Sequence, residues 1–210
     1  MKRKHLQLLY IIIATADILS LLFYEPLRVI TKPLLMVSLI GYYFLFAVHF
    51  KILFLLALFF ALLGDIFLLG NGLNYFLMGL GSFLIMQVLY ACVFYENRSQ
   101  ISAQDLIGGV ILALIGIILI YILWPNLSST FKIPVSIYSL AILVMAFFAV
   151  RRKKSNATYL PVLVGALFFV SSDALLAINE FTEILNHAGL WVMITYILAQ
   201  FFIVTGITEE

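Results

Sequence analysis

The sequence predicts an all-α fold: one polytopic transmembrane domain over residues 1–210, built from eight helices. Three observations support this prediction. The 210 residues are 65% hydrophobic and only 10% charged, whereas a soluble domain is about half apolar and about a quarter charged. Charged and turn residues divide the chain into apolar runs of about the 20 residues that a membrane-spanning helix needs. Runs such as 52–61 do not alternate polar and apolar residues, as the strands of a membrane β-barrel do.

The composition also excludes several classes of protein. The chain has too little polar surface for a water-soluble enzyme and too few polar residues for a disordered protein. Its net charge of +2 is too small to attract a phosphate backbone, so we expect no nucleic-acid partner. The single cysteine, Cys92, excludes an internal disulfide and a cysteine-based zinc site.

Each predicted span is bounded by charged, glycine or proline residues. In chain order the spans are Leu6–Tyr24 (after the basic residues 2–4), Pro33–His49 (before Lys51), Ile52–Leu69 (before Gly70), Leu73–Tyr95 (before Glu96), Leu106–Trp124 (between Asp105 and Pro125), Pro134–Val150 (before the basic residues 151–154), Pro161–Ala177, and Gly189–Ile207 (before Glu209).

The five prolines are expected to mark boundaries. Pro33, Pro134 and Pro161 fall in predicted first turns, where the missing N–H costs nothing. Pro26 and Pro125 fall just past predicted helix ends. We therefore expect no proline to interrupt a span.

The distribution of Lys and Arg predicts the orientation in the membrane. With a cytoplasmic N-terminus, nine of the twelve basic residues lie in cytoplasmic segments, and only Arg28, Lys32 and Lys132 lie outside. This bias is the one that the positive-inside rule favours. We therefore expect an integral protein of the bacterial inner membrane with both termini cytoplasmic, and the run Arg151–Lys154 serves as a topology signal.

The first span has an alternative interpretation. The basic N-terminus, the run Leu6–Ile13 and the small residues Ala14-Thr15-Ala16 resemble a cleavable signal peptide. The apolar run resumes after Asp17 and continues to Tyr24, which favours an intact first helix.

Three acidic residues fall inside spans: Asp17, Asp65 and Asp173. A carboxylate in hydrocarbon costs about 2.5 kcal/mol or more, so such a group faces a cavity or a partner. Asp65 and Asp173 each lie four residues before a predicted helix end, about 6 Å below it, in helices that run in the same direction. We expect these two acids to meet. Asp17 has no matching acid. The alternative to a functional role there is a protonated carboxyl group that forms a hydrogen bond between helices.

The surroundings of the two matched acids form a repeat. Residues 64–71 and 172–179 share the pattern small-Asp-x-x-Leu-x-x-Asn, and Lys32-Pro33 resembles Lys132-Ile133-Pro134. This repeat suggests two parallel halves of four helices each. Further polar residues fall at comparable or greater depths and predict a polar cavity that opens toward the outer leaflet, although each alone could be an interfacial anchor or an interhelical hydrogen bond. The candidate substrate-binding residues are Lys32, Asn71, Tyr138, Asn179, Tyr196 and Gln200.

These motifs resemble the YhhN family of integral membrane proteins, which includes the lysoplasmalogenases. The resemblance covers about residues 30–205 and is carried by Thr31-Lys32-Pro33, Leu63-Gly64-Asp65, Phe76 with Gly79-Leu80, the segment from Gly165 to Ser172-Asp173, and Tyr196-x-x-Ala199-Gln200. It implies hydrolysis of the vinyl ether bond of lysoplasmalogens to a fatty aldehyde and a glycerophospho-ethanolamine or -choline. One departure is Gln87, which stands where family members often carry a histidine.

The chemistry implied by the resemblance suits the two acids. A vinyl ether opens when its β-carbon is protonated, and water then adds to the resulting oxocarbenium ion. Two carboxyl groups in an apolar site can divide these tasks, because one stays protonated and the other ionised. We therefore predict that Asp65 and Asp173 together supply a general acid and a general base, and the sequence does not assign which of them is the acid. We expect a lysophospholipid substrate, surrounding membrane lipids and no metal or cofactor. Lys32 is a candidate phosphate contact, and its alternative is snorkelling to the membrane interface.

A second class of function remains open from the sequence. Paired membrane acids also serve proton relays, so a proton-coupled carrier of a small amphiphile is the alternative. The spans lack the Gly or Pro breaks near the midplane that mark many carriers, which favours the hydrolase. A scaffold or receptor, in which the acids only pack, is a third possibility.

Overall fold

A computed structural model describes residues 3–153, 157–182 and 187–210. In these ranges the chain forms eight α-helices and one short 3-10 helix, Glu25–Leu27. The α-helices are α1 Arg3–Phe23, α2 Arg28–Phe46, α3 Ile52–Phe67, α4 Leu73–Glu96, α5 Ala103–Leu123, α6 Ser129–Val150, α7 Tyr159–Thr182 and α8 Ala188–Thr208. Seven of them are long and apolar enough to cross a membrane, and α3 is a shorter apolar helix of 16 residues. The predicted polytopic bundle of eight helices is confirmed.

The two ends of the bundle differ in what they hold. Arg3 and Glu209 form an ion pair of 3.8 Å, so the beginning of α1 and the end of α8 lie together at what we call the terminal end. The ends of α1, α3, α5 and α7 and the beginnings of α2, α4, α6 and α8 lie at the opposite end, the loop end. This placement agrees with the expectation that both termini lie on one side of the membrane. The assignment of that side to the cytoplasm stays a prediction. Two of the basic residues behind it, Lys2 and Lys154, lie outside the described residues.

Two of the five prolines do not mark boundaries. Helices α2 and α6 each begin five residues earlier than predicted, so Pro33 and Pro134 lie inside them. The prediction that these two prolines lie in first turns is therefore wrong, although both helices continue through them without a break. A membrane helix tolerates such a proline because neighbouring helices and side chains satisfy the freed main-chain groups.

Helix α7 is longer than predicted, and this changes how far Asp173 lies from the end of its helix. Helix α3 ends at Phe67, close to two glycines, of which Gly72 has a φ of +98°. Helix α7 continues past Ala177 because Ile178 and Phe181 pack against a small apolar cluster of α5 and α6 residues. The prediction that Asp65 and Asp173 lie equally far from their helix ends is therefore wrong.

A close approach between α7 and α8 fixes the position of α8. A Cβ atom added at Gly165 would lie 2.8 Å from both the carbonyl oxygen of Ala199 and the amide nitrogen of Ile203. Only a glycine lets the two backbones approach this closely, which is a common device in membrane helix packing. The contact holds in place the helix that carries Tyr196 and Gln200.

Candidate active site

A polar cavity of about 560 Å³ lies at the loop end of the bundle. Helices α2, α3, α4, α6, α7 and α8 all contribute to its lining. Among the residues that the structure describes, five charged side chains face it, which is unusual for the interior of an apolar bundle. They are Arg28, Lys32, Asp65, Asp173 and Glu180.

Asp65 is held by one cation and one phenol. Its carboxylate is 1% exposed. Oδ2 accepts a hydrogen bond of 2.8 Å from the Tyr196 hydroxyl, and Oδ1 lies 3.8 Å from the Nζ atom of Lys32. Lys32 is itself buried and faces the cavity.

Asp173 has neutral partners instead. Its Oδ2 accepts a hydrogen bond of 2.5 Å from the Tyr138 hydroxyl and one of 3.1 Å from the Gln87 amide. No Lys or Arg forms an ion pair with it within the described part of the chain. Gln87 is fully buried, and its amide donates a hydrogen bond to the carboxyl group without being able to carry its proton.

The two acids face one cavity without being bonded to each other. Among the described residues, no hydrogen bond joins Asp65 to Asp173 directly. Asp65 of α3 has its partners on α2 and α8, and Asp173 of α7 has its partners on α6 and α4. With the predicted halves α1–α4 and α5–α8, each acid therefore contacts the second helix of its own half and the fourth helix of the other half. This exchange is what two four-helix halves related by a repeat would produce.

The other predicted site residues fall into two groups. Asn71, Asn179 and Tyr196 line the polar cavity. Gln200 does not contribute to that lining: it is fully buried, accepts a hydrogen bond of 2.8 Å from Tyr90 and lies 3.4 Å from the Tyr196 hydroxyl. Gln200 therefore supports Tyr196 from behind.

Arg28 and Glu180 line the cavity and were not predicted as site residues. Arg28 precedes Lys32 by four residues, which places both on one face of α2. That signal was hidden because α2 was expected to begin at Pro33. Glu180 was assigned to a loop because α7 was expected to end at Ala177.

Asp17 has a partner after all, although it lies outside the cavity lining. It is fully buried, and its Oδ1 accepts a hydrogen bond of 2.7 Å from Thr31 and lies 3.8 Å from Nε of Arg28. Asp17 is thus hydrogen-bonded between helices, as the alternative to a functional role supposed, but as an acceptor beside a cation. The ion pair also holds the guanidinium group of Arg28 next to the cavity.

An apolar cleft between α4, α5, α6 and α7 continues from the polar cavity. Tyr138 lines this cleft, which is otherwise built mostly from aliphatic and aromatic side chains. Cavity and cleft share the residues Leu68, Phe76, Phe83, Asp173 and Leu176. Asp173 thus lies at the boundary between a polar space and an apolar one. Within the described ranges, no three His, Cys, Asp or Glu side chains come close enough together to hold a metal ion.

Comparison with known proteins gives a family and several relatives. The sequence model of the YhhN family matches residues 27–207. Human lysoplasmalogenase TMEM86A is 28% identical over 156 residues, which cover 72% of this chain and 63% of that protein. Bovine lysoplasmalogenase TMEM86A is 27% identical with the same coverage, and pig lysoplasmalogenase TMEM86B is 32% identical over 138 residues, 64% of this chain and 55% of that protein. The match spans less than two thirds of the length of these relatives. No solved structure matches this chain significantly.

Proposed function

Because this chain belongs to the YhhN family, as its motifs suggested, we propose that it is an intramembrane hydrolase of lysoplasmalogens. It cleaves the vinyl ether bond and releases a fatty aldehyde and a glycerophospho-ethanolamine or -choline. The observation that carries this proposal is the position of Asp173 where the polar cavity meets the apolar cleft. A lysolipid bound across both spaces presents the bond between its head and its chain at that carboxyl group.

The charges of the cavity suit the head of such a lipid. Arg28 and Lys32 lie on one face of α2 and offer two cations to a phosphate. Glu180, also in the lining, offers a carboxylate to the amine of the headgroup. The chain then extends into the apolar cleft beyond Asp173.

The partners of the two acids support different roles for them. Lys32 lies beside Asp65, and an adjacent ammonium group stabilises a carboxylate. Asp173 receives only the neutral donors Tyr138 and Gln87, and its second oxygen is left to hold a proton. We therefore assign Asp173 as the general acid and Asp65 as the general base.

In the proposed reaction, Asp173 transfers its proton to the β-carbon of the vinyl ether, which leaves a carboxylate beside the oxocarbenium ion and stabilises it. Water attacks the cationic carbon, and Asp65 takes the proton that the water loses. The hemiacetal then collapses: its hydroxyl proton returns to Asp173, and Asp65 protonates the departing glycerol oxygen. One water molecule is consumed and both acids regain their starting states.

The phenols of Tyr138 and Tyr196 are positioning residues in this scheme. Each donates to the Oδ2 atom of one acid, at 2.5 Å from Asp173 and at 2.8 Å from Asp65. Each bond holds one oxygen of its carboxyl group and leaves the other oxygen without that donor. Gln200 holds Tyr196 in turn.

The test is release of aldehyde by the purified protein in lipid nanodiscs, supplied with choline and ethanolamine lysoplasmalogens. We expect equal amounts of aldehyde and glycerophospho-product, and none from the saturated alkyl-ether lysolipid, which lacks the vinyl bond. No aldehyde from either headgroup, together with proton-dependent uptake of lysolipid into vesicles, would support the carrier instead. The packed layer below the cavity disfavours that alternative, since Met86, Tyr90 and Gln200 are each 0% exposed.

A further inference from the structure

The lipid-facing side of α5 and α6 carries a third space. It is an open apolar groove of about 770 Å³, which we call the α5–α6 groove. Its lining includes Ile117 and Tyr121 of α5, Trp124 just after that helix and Leu140 of α6, and these side chains are exposed on the surface of the bundle. In a membrane, lipid chains reach this surface directly.

The groove and the internal cleft meet at a neck. Gly116, Ser139 and Leu143 line both spaces. A Cβ atom added at Gly116 would overlap Cδ1 of Leu143. The end of one flexible leucine side chain therefore lies over the glycine and narrows the neck.

Helix α5 is attached more loosely than the other helices around the cleft. Only four of its 21 residues are buried, namely Asp105, Leu112, Gly116 and Leu123. Most of the other α5 residues are exposed. A helix with so few buried contacts can shift relative to α6 at low cost.

The size of the cleft requires an outlet. It encloses about 60 Å³, which is room for a few water molecules and not for a long alkyl chain. A chain that starts at Asp173 and fills the cleft must therefore continue through the neck. The groove beyond the neck is apolar and much larger.

We propose that the α5–α6 groove binds the alkyl chain of the lysolipid and that the neck admits this chain laterally from the bilayer. The inference rests on the proposed function for its substrate class. The head remains in the polar cavity while the chain passes Asp173, fills the cleft and leaves between α5 and α6. The enzyme thereby takes its substrate without lifting the whole chain out of the hydrocarbon.

A photo-crosslinking measurement tests this route independently of catalysis. The probe is an alkyl-ether lysophosphocholine with a diazirine at the end of its chain, added to the protein in nanodiscs. We expect labelled peptides around Gly116 and around Ser139–Leu143, and we expect unlabelled lysolipid to compete for them. Gly116→Leu fills the neck and should remove this competed label. Label confined to other helices, or unchanged in the variant, would overturn the proposal.

A matched control exists on the same helix. Gly109 lies two turns from Gly116 and also faces α6, because a Cβ atom there would lie 2.9 Å from Cε2 of Phe147. Gly109→Leu should therefore perturb the α5–α6 contact without obstructing the neck, and the competed label should persist. Ser139→Leu fills the neck from the α6 side and serves if Gly116→Leu does not fold.

Kinetics separate this inference from the proposed function. In Gly116→Leu, the ratio of kcat/KM for a long-chain over a short-chain lysoplasmalogen should fall on the order of ten-fold, because a short chain ends before the neck. The ratio should not change in Gly109→Leu. An equal loss for both chain lengths in Gly116→Leu would contradict the route. Absence of aldehyde from the wild-type protein would instead reject the proposed function, and the crosslinking result would still decide the binding route.

Discussion

Replacing Asp173 by asparagine tests the proposed acid with little change in shape. Asparagine retains an oxygen that can accept the hydrogen bonds of Tyr138 and Gln87, which are 2.5 Å and 3.1 Å long in the structure. Because a protonated Asp173 is also a neutral acceptor, the change should cost no more than about 1 kcal/mol of folding free energy. Loss of the transferable proton should lower kcat/KM by about 10²–10⁴-fold, the usual contribution of a general acid.

The same substitution at Asp65 tests the base. Asp65→Asn keeps an acceptor for Tyr196 but loses the carboxylate beside Lys32, and the loss of activity should again be about 10²–10⁴-fold. The double variant should be little worse than either single variant, since residues that act as one unit are not additive.

The assay is the initial rate of aldehyde release, with folding checked by thermal melting in detergent. Asp105→Asn is the control: Asp105 is a fully buried acid that caps the first turn of α5 through Ser102, away from the cavity. It should keep wild-type activity. If Asp65→Asn or Asp173→Asn retains more than about a tenth of the activity, the two-carboxylate mechanism is wrong.

Further predictions follow from other contacts. Lys32→Met should raise KM more than it lowers kcat if Lys32 holds the phosphate, because that contact is similar in ground and transition states; an effect on kcat alone would contradict this role. Gly165→Ala should destabilise the protein by about 1–3 kcal/mol in melting experiments, since the new methyl group meets the backbone of α8, while Gly41→Ala, with nothing within 4 Å, should not. Reporter fusions should place 151–154 and both termini in the cytoplasm and 180–187 outside; the reverse would refute the predicted orientation.

The helices were predictable because each apolar run is long and bounded by polar residues. The ends of the helices were less predictable than their presence. Pro33 and Pro134 looked like helix starts, since a proline costs nothing in a first turn, yet both lie inside helices. The end of α7 depends on packing against α5 and α6, which local sequence does not show.

The acids of the site were predictable because a carboxyl group in a membrane is costly without a function. Their individual partners were not, since the pairing of Tyr196 with Asp65 spans 131 residues and depends on how α8 packs. The close contact at Gly165 that fixes α8 involves main-chain atoms of that helix. In the sequence, the glycine is the only residue that indicates such a contact.

Proton transfer from Asp173 to the vinyl ether is tested most directly by hydrolysing a lysoplasmalogen in heavy water. The aldehyde is trapped as soon as it forms, and its mass is measured by mass spectrometry. Protonation of the β-carbon creates the high-energy oxocarbenium ion, so the rate should fall in heavy water because a general acid supplies that proton in the slow step. The product aldehyde should carry one deuterium on the carbon next to its carbonyl group. Aldehyde that carries no deuterium at that carbon would contradict protonation by Asp173.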